Sequence, residues 1–230
     1  MKTIGLIGGM SWESTLLYYK QINEGIKQQL GGLHSAKIAL YSVDFAEIER
    51  MQSLGQWDLA GEYLAQAGKN VEQAGANFIL LCTNTMHKVA EKIEQNINIP
   101  LLHIADATGE RIIKSGLKKI GLLGTAFTME QPFYKNRLSD KYNLSVITPT
   151  AEDRKIIHDI IYQELCLGKI DANSKKQYQR IMASLVAQGA EGIILGCTEI
   201  TLLINEHDTS VPIFDTTALH TQKAIELALN

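Results

Sequence analysis

The chain has 230 residues, of which 45% are hydrophobic, and its formal net charge is -3 at pH 7. This apolar fraction is sufficient for the core of one large domain or of two small ones. The sequence contains no basic run of the kind that binds nucleic acid or an anionic membrane. A local basic pocket that binds a small acid is still compatible with this charge.

The apolar runs are short. The longest have the length of strands and fall far below the ~18 residues that a membrane-spanning helix needs. The first residues lead directly into a strand pattern rather than into a signal peptide. We therefore expect a soluble, cytoplasmic protein.

The residue types that hold metals and cofactors are not grouped in the sequence. The cysteines are odd in number and lack Cys-x-x-Cys spacing, which argues against a disulfide framework and a thiolate metal site: Cys82, Cys166 and Cys197. The histidines show no paired spacing of the His-x-x-x-His kind. Gly5, Gly8 and Gly9 do not have the Gly-x-Gly-x-x-Gly spacing of dinucleotide sites. We expect neither a metal nor a nicotinamide cofactor.

Strand and helix signals alternate along the first half of the chain. In order, they predict a strand at 4–7, a helix up to residue 30, a strand around 38–43, two helices over about 45–74, a strand at 77–82, a helix at about 86–95 and a strand after Pro100. Such alternation predicts a parallel sheet with helices on both faces.

The same order of elements restarts at Lys119. Residues 120–124 repeat the pattern of 4–8, and the later pairs Thr83 with Cys197 and Pro100 with Pro212 keep nearly the same offset. An ordered set of nearly equal offsets predicts two similar Rossmann-like α/β domains with central parallel sheets. We assign 1–104 plus the C-terminal helix at about 216–230 to the first domain and 105–215 to the second.

Two predicted strands end at residues suited to proton transfer. The apolar run 192–195 leads to Cys197, and Thr83 stands at the corresponding position of the first half. Ligands of open α/β sheets bind beyond the carboxyl ends of the strands, so we expect Thr83 and Cys197 to face each other across one cleft. Two such groups can remove a hydrogen from one face of a Cα and return it to the other without a cofactor.

Three motifs carry a resemblance to a known family. Gly8-Gly9-Met10-Ser11, Asn84-Thr85-Met86-His87 and Gly196-Cys197-Thr198-Glu199 occur in order at predicted strand ends. With them the chain resembles the aspartate/glutamate racemase family and its aspartate-racemase-like branch, and 82–88 and 102–108 resemble enterobacterial members specific for L-aspartate and L-glutamate. The resemblance implies domains related by a pseudo-two-fold, an active site in the interdomain cleft, cofactor-independent racemisation of an amino acid, and a homodimer.

The sequence departs from the family at one catalytic position. Most members have cysteine directly before the Asn-Thr pair, where this chain has Thr83, and Cys82 lies one step back. A shift of one residue on a strand turns the side chain to the opposite face, so we expect Cys82 to be a buried small hydrophobe, and Cys166 likewise. A threonine hydroxyl is a far weaker acid than a thiol, whose pKa of about 8.5 can be lowered by helix N-terminal amides. We therefore predict an asymmetric catalytic pair, with Cys197 acting on the L-enantiomer as the family implies.

The remaining motif residues are expected to bind substrate. Asn84, Thr85 and Thr198 are predicted to hold the α-carboxylate and the developing enediolate charge, with helix N-capping as the alternative role. Glu199 and His87 are candidates for tuning the thiol. The predicted substrate-binding set is Met10, Ser11, Gln52, Asn84, Thr85, Thr198 and Glu199.

Recognition of the substrate side chain is predicted to rest on Gln52. Arg50 and Lys169 also lie in segments that resemble the family's side-chain pocket, but ordinary surface charges are equally consistent with them.

Two further functions stay open from the sequence. A related reaction of the maleate isomerase or arylmalonate decarboxylase type needs only one active cysteine, which fits the missing first cysteine. A non-catalytic amino-acid-binding protein is the other alternative, and the retained Cys197 with its Thr-Glu flank argues against it.

Overall fold

The computed structural model describes residues 1–230. The chain divides into two compact domains, one formed by residues 1–104 with 220–230 and the other by residues 105–219. Each domain contains a four-stranded parallel sheet, and the two sheets have equivalent strand orders. The prediction of two similar α/β domains with parallel sheets is confirmed. None of the helices is both long and apolar enough to cross a membrane.

The sheet of the first domain has the order β2-β1-β3-β4. Its strands are β1 (Ile4–Gly8), β2 (Ile38–Ser42), β3 (Phe78–Leu81) and β4 (Leu101–Leu102). The connecting helices are α1 (Trp12–Leu30), α2 (Phe45–Ser53), α3 (Trp57–Gln73) and α4 (Ala90–Glu94). Every residue of β1 and β3 is buried, as expected for central strands that are covered by helices on both faces.

The sheet of the second domain has the order β6-β5-β7-β8. Its strands are β5 (Lys119–Gly124), β6 (Ser145–Ile147), β7 (Gly192–Gly196) and β8 (Ile213–Asp215). The helices are α5 (Ile104–Lys114), α6 (Ala126–Glu130), α7 (Pro132–Tyr142), α8 (Ala151–Gln163), α9 (Ala172–Ala187) and α10 (Thr216–Leu229). Helices α5 and α7 are joined by a bidentate ion pair, in which Arg137 donates to both carboxylate oxygens of Asp106 at 2.7 and 2.8 Å.

Most of α10, from His220 onward, belongs to the first domain, and only its first residues, 216–219, belong to the second. Ala224 and Ala228 pack into the hydrophobic cluster that contains Tyr18 and Ile22 of α1. His220 bonds to the Tyr18 hydroxyl at 2.9 Å through Nδ1 and to the Leu102 carbonyl oxygen at 2.8 Å through Nε2. These contacts anchor the C-terminal helix to α1 and to the residues of β4.

The segments after β3 and β7 differ from the prediction. The sequence predicts one helix at about 86–95, whereas the structure has a 3₁₀ helix at Thr85–Val89 followed by the short α4. A second 3₁₀ helix, Thr198–Leu202, follows β7. In both domains the strand is therefore followed by a short 3₁₀ helix, which keeps the motif side chains close to the strand end.

Candidate active site

The first motif forms the turn between β1 and α1. Gly9 has a φ of +94°, and a Cβ atom built on it would lie 2.1 Å from the Val43 carbonyl oxygen, so only glycine fits. Ser11 is the N-cap of α1, since the Ser14 amide donates to Ser11 Oγ at 3.3 Å. Met10 and Ser11 are both buried.

Thr83 follows β3 and is more exposed to solvent than the residues on either side of it. It is half-buried, whereas its neighbours Cys82 and Asn84 are buried. The Thr83 amide donates to the Leu81 carbonyl oxygen at 2.8 Å, and the Cys82 amide donates to Ile7 at 2.9 Å. These bonds hold the chain in a tight turn directly after β3.

Cys82 lies in the core, as the strand argument predicted. Its side chain is wholly buried in the cluster that contains Tyr18 and Leu80. Burial raises the pKa of the Cys82 thiol well above its ordinary value, because no water remains to solvate a thiolate. The prediction that Cys82 is a buried small hydrophobe is confirmed.

Three predicted binding residues of the first domain lie close together. Asn84 and Thr85 are buried, and the Asn84 side chain does not cap the 3₁₀ helix that follows it, so the capping alternative is wrong for this residue. Gln52 of α2 is 5% exposed, and its Nε2 donates to the sulfur of Met86 in the same motif at 2.9 Å. A thioether is a weak acceptor, so this amide remains available to a stronger one.

His87 binds the backbone of the Thr83 turn. Its Nδ1 lies 2.7 Å from the Thr83 carbonyl oxygen, and its Nε2 accepts from the Ile104 amide at 3.1 Å. Both ring nitrogens are therefore engaged by main-chain groups. The sequence suggests that His87 tunes the catalytic thiol, whereas in the structure its ring nitrogens bind the main chain of Thr83 and Ile104.

Cys197 and Glu199 form a pair at the end of β7. The Cys197 thiol donates to Glu199 Oε2 at 2.9 Å, and Glu199 is buried. Burial is the main cause that raises the pKa of Cys197 well above its ordinary value, and the negative charge of Glu199 adds to it. The expectation that helix amides lower this pKa is wrong, because burial and the carboxylate outweigh the amides. The thiol carries its proton near neutral pH.

Thr198 and Tyr178 complete the surroundings of this pair. Thr198 Oγ1 lies 3.0 Å from the hydroxyl of Thr217 at the start of α10, which orients it next to the strand end. The Tyr178 hydroxyl on α9 is buried without a hydrogen-bond partner. Burial is the main cause that raises the pKa of Tyr178 well above its usual value, and the negative charges that Cys197 and Glu164 carry when ionised add to it. Helical periodicity marks Tyr178 only as a core residue, and nothing in its spacing signals its place near Cys197.

Three remaining candidates lie at or near the surface. Arg50 and Lys169 are exposed, consistent with ordinary surface charges. Cys166 is half-buried in the 3₁₀ turn Leu165–Leu167, so the expectation that it is buried like Cys82 is wrong. Helix α8 ends at Gln163, before this turn. No group of three or more His, Cys, Asp and Glu side chains is arranged to hold a metal ion.

The fold and these residues define a class of protein: a duplicated, two-domain α/β protein with a hydroxyl and a thiol at equivalent strand ends. Residues 7–224 match the family model of the Asp/Glu/Hydantoin racemases. The chain therefore belongs to the Asp/Glu/Hydantoin racemase family, which is a family of isomerases.

Individual relatives agree with this assignment. A Yersinia pestis protein of known structure, whose proposed activity is that of an Asp/Glu racemase, is 57% identical over 100% of both chains with a TM-score of 0.95. An aspartate racemase homologue from Pyrococcus horikoshii is 38% identical, also over 100% of both chains, with a TM-score of 0.87. A broad specificity amino-acid racemase of Bacillus subtilis is 28% identical over 155 residues, which cover 64% of this chain and 63% of the relative.

Proposed function

We propose that this protein is a cofactor-independent amino-acid racemase acting on aspartate and glutamate. The observation that carries the proposal is the hydrogen bond from the Cys197 thiol to the Glu199 carboxylate, 2.9 Å long, at the end of β7. Thr83 follows β3, which has the same place in the order of its own sheet as β7 has in the second. Membership of an isomerase family supports the reaction class.

The first proton transfer begins with the protonated thiol. Because Glu199 already accepts its hydrogen bond, transfer of that proton produces a thiolate and a neutral carboxyl group. The thiolate then removes the α-hydrogen of the L-enantiomer as a proton. The electron pair of the broken Cα–H bond moves into the carboxylate and forms an enediolate.

The second proton transfer is the slower one. Thr83 donates its hydroxyl proton to the opposite face of Cα and takes a proton back from water, and the hydroxide so formed removes the proton that Glu199 received from the thiol. A threonine hydroxyl is a much weaker acid than a thiol, so the enediolate is reprotonated by Cys197 more often than by Thr83. The result is fast exchange of the α-hydrogen with retention of configuration and slower net racemisation.

The substrate is bound by the polar residues of the same strand ends. Asn84, Thr85 and Thr198 hold the α-carboxylate, where hydrogen-bond donors stabilise the charge that develops in the enediolate. Gln52 holds the side-chain carboxylate by exchanging its contact with the Met86 sulfur. The residues Met10 and Ser11 line the first strand end.

The test is proton NMR of L- and D-amino acids with the protein in deuterium oxide, combined with chiral analysis of the products. We expect the α-proton signal of L-aspartate and L-glutamate to disappear faster than optical activity. Cys197→Ala abolishes the exchange, whereas Cys166→Ala, the matched control at the other half-buried cysteine, retains it. Equal rates for the two signals contradict the asymmetry, and exchange by Cys197→Ala contradicts the assigned base.

Thr83 also favours a second candidate function. With only one cysteine at the two strand ends, a decarboxylation of a malonate or an isomerisation of maleate remains chemically feasible. The same NMR assay includes an arylmalonate and maleate. Carbon dioxide release or fumarate formation, without exchange of an amino-acid α-proton, selects this class, and binding of amino acids without any exchange selects a non-catalytic binding protein.

A further inference from the structure

The two bonds of His87 assign its protonation state. A carbonyl oxygen can only accept, so the 2.7 Å contact with Thr83 requires a proton on Nδ1. The Ile104 amide can only donate, so the 3.1 Å contact requires a lone pair on Nε2. Together these contacts select the neutral imidazole with its proton on Nδ1.

The surroundings of His87 favour the same neutral form. Its ring centroid lies 4.4 Å from that of His103 and 5.9 Å from that of His220, and all three rings are buried. His220 donates to the Leu102 carbonyl through Nε2, and its Nδ1 lies 2.9 Å from the Tyr18 hydroxyl, which can donate to it when the ring is neutral. Burial lowers the pKa of His220 to about 4. Close packing of three buried imidazoles disfavours a charge on any of them, because burial penalises the charged form and a charge on one ring repels a charge on the next.

The second domain has no equivalent of this histidine contact. In the internal repeat Thr83 corresponds to Cys197, and His87 therefore corresponds to Thr201. The Thr201 hydroxyl donates to the Thr198 carbonyl at 2.8 Å, and the Cys197 carbonyl accepts from the Ile200 amide at 3.2 Å. A side-chain bond to the carbonyl of the strand-end residue is thus found on the threonine side and not on the cysteine side.

We propose that His87 is a positioning residue for Thr83. By bonding to the Thr83 carbonyl oxygen, His87 holds the Thr83 hydroxyl in the orientation that the second proton transfer needs. The Thr83 amide is already fixed by Leu81, and His87 fixes the other end of the residue. Since a weak acid donates a proton only when it is well oriented, the threonine side depends on this restraint more than the thiol side does. The inference rests on the proposed racemase function.

Two substitutions separate the two bonds. In His87→Asn the amide nitrogen is as many bonds from Cα as Nδ1 is, so it can still donate to Thr83. In His87→Gln the terminal oxygen matches Nε2, so it can accept from Ile104 but the bond to Thr83 is lost. The control is His34→Gln, the same change at an exposed histidine of the first domain.

The measured quantity is the ratio of net racemisation to α-hydrogen exchange from the L-enantiomer. We expect His87→Gln to lower this ratio about tenfold or more, since small misplacements of a reacting group cost large factors in rate. His87→Asn and the control keep the ratio within about twofold of the wild type. Thermal unfolding monitored by circular dichroism verifies that each variant is folded.

The outcomes distinguish this role from the function itself. A wild-type protein without exchange at Cα overturns the proposed function and the role of His87 with it. Two other outcomes overturn only the positioning role, provided that the wild type exchanges the α-hydrogen. In the first, His87→Gln leaves the ratio unchanged. In the second, His87→Gln and His87→Asn lose racemisation and exchange to the same extent.

The protonation state has its own readout. Nitrogen-15 NMR of the histidine rings is expected to show His87, assigned by its absence in His87→Gln, with a protonated Nδ1 and a bare Nε2 near neutral pH. A proton on Nε2 would contradict the two bonds and the proposal that depends on them.

Discussion

At the scale of single residues, the proton of Cys197 is controlled by Glu199. Burial keeps the thiol neutral, and the carboxylate 2.9 Å away raises its pKa further by charge repulsion and by accepting its hydrogen bond. The same carboxylate is the nearest acceptor for the thiol proton. Glu199 therefore makes the thiolate less stable in the resting protein while providing the route by which it forms.

The variant Glu199→Gln tests this control. Because the substitution removes a negative charge that raises the thiol pKa, the pH profile of Cys197 alkylation should shift to lower pH. The measurement is the rate of carbamidomethylation as a function of pH, followed by mass spectrometry of the Cys197 peptide, with the Cys166 peptide as internal control. An unchanged profile, or a shift to higher pH, would show that Glu199 does not govern this proton.

Several of these residue properties were accessible from the sequence and others were not. Alternation along a strand sufficed to separate Thr83 from the buried Cys82, because a shift of one residue reverses the side chain. Glu199 stands out from the sequence as a candidate for tuning the thiol, but the direction of the Cys197 pKa depends on burial and on where the carboxylate lies, neither of which spacing reveals. Tyr178 lies near Cys197 only through the packing of α9, so no local signal identifies it.

At the scale of secondary-structure elements, α10 is anchored by a histidine that must stay neutral. His220 is fully buried, and its pKa is lowered from 6.5 to about 4. Below pH 6.5 the unfolded chain takes up a proton on His220 that the folded chain does not bind. The free energy of unfolding therefore decreases as the pH falls from 6.5 toward 4. At pH 5 the loss from this one group amounts to about 2 kcal/mol.

The variant His220→Gln isolates that contribution. Between about pH 7.5 and about pH 5, the wild type should lose about 2 kcal/mol more of its free energy of unfolding than the variant does. The measurement is urea unfolding at both pH values, with His34→Gln as the control at an exposed histidine. If the wild type and His220→Gln show the same pH dependence, the buried neutral state of His220 is not the cause.

The elements themselves show where periodicity is informative. Central parallel strands are buried on both faces, so β1, β3 and β7 appear as continuous apolar runs and were predicted. Short 3₁₀ helices such as Thr85–Val89 contain too few turns to produce a periodic pattern of apolar residues. The sequence therefore predicts one longer helix there. The motif residues were placed on the correct strand ends but on a different type of helix.

At the scale of the whole molecule, the internal repeat carries most of the predictive power. Nearly equal offsets between strand signals imply two copies of one sheet, and the two strand orders are equivalent. Association with a second chain leaves a weaker trace, since exposed apolar residues are normal on any surface unless they cluster.

One such cluster lies on α1 and leads to a prediction of a homodimer. Trp12, Leu16 and Tyr19 share a helix face and are 65%, 55% and 49% exposed. Burial of three large side chains against a second copy would remove this apolar surface from water. Light scattering coupled to size exclusion should give twice the chain mass of 25.5 kDa. Leu16→Glu should yield monomers, while Leu59→Glu, at a 49% exposed leucine of α3, should not. A monomeric wild type, or a dimer unaffected by Leu16→Glu, would rule out α1 as the contact surface.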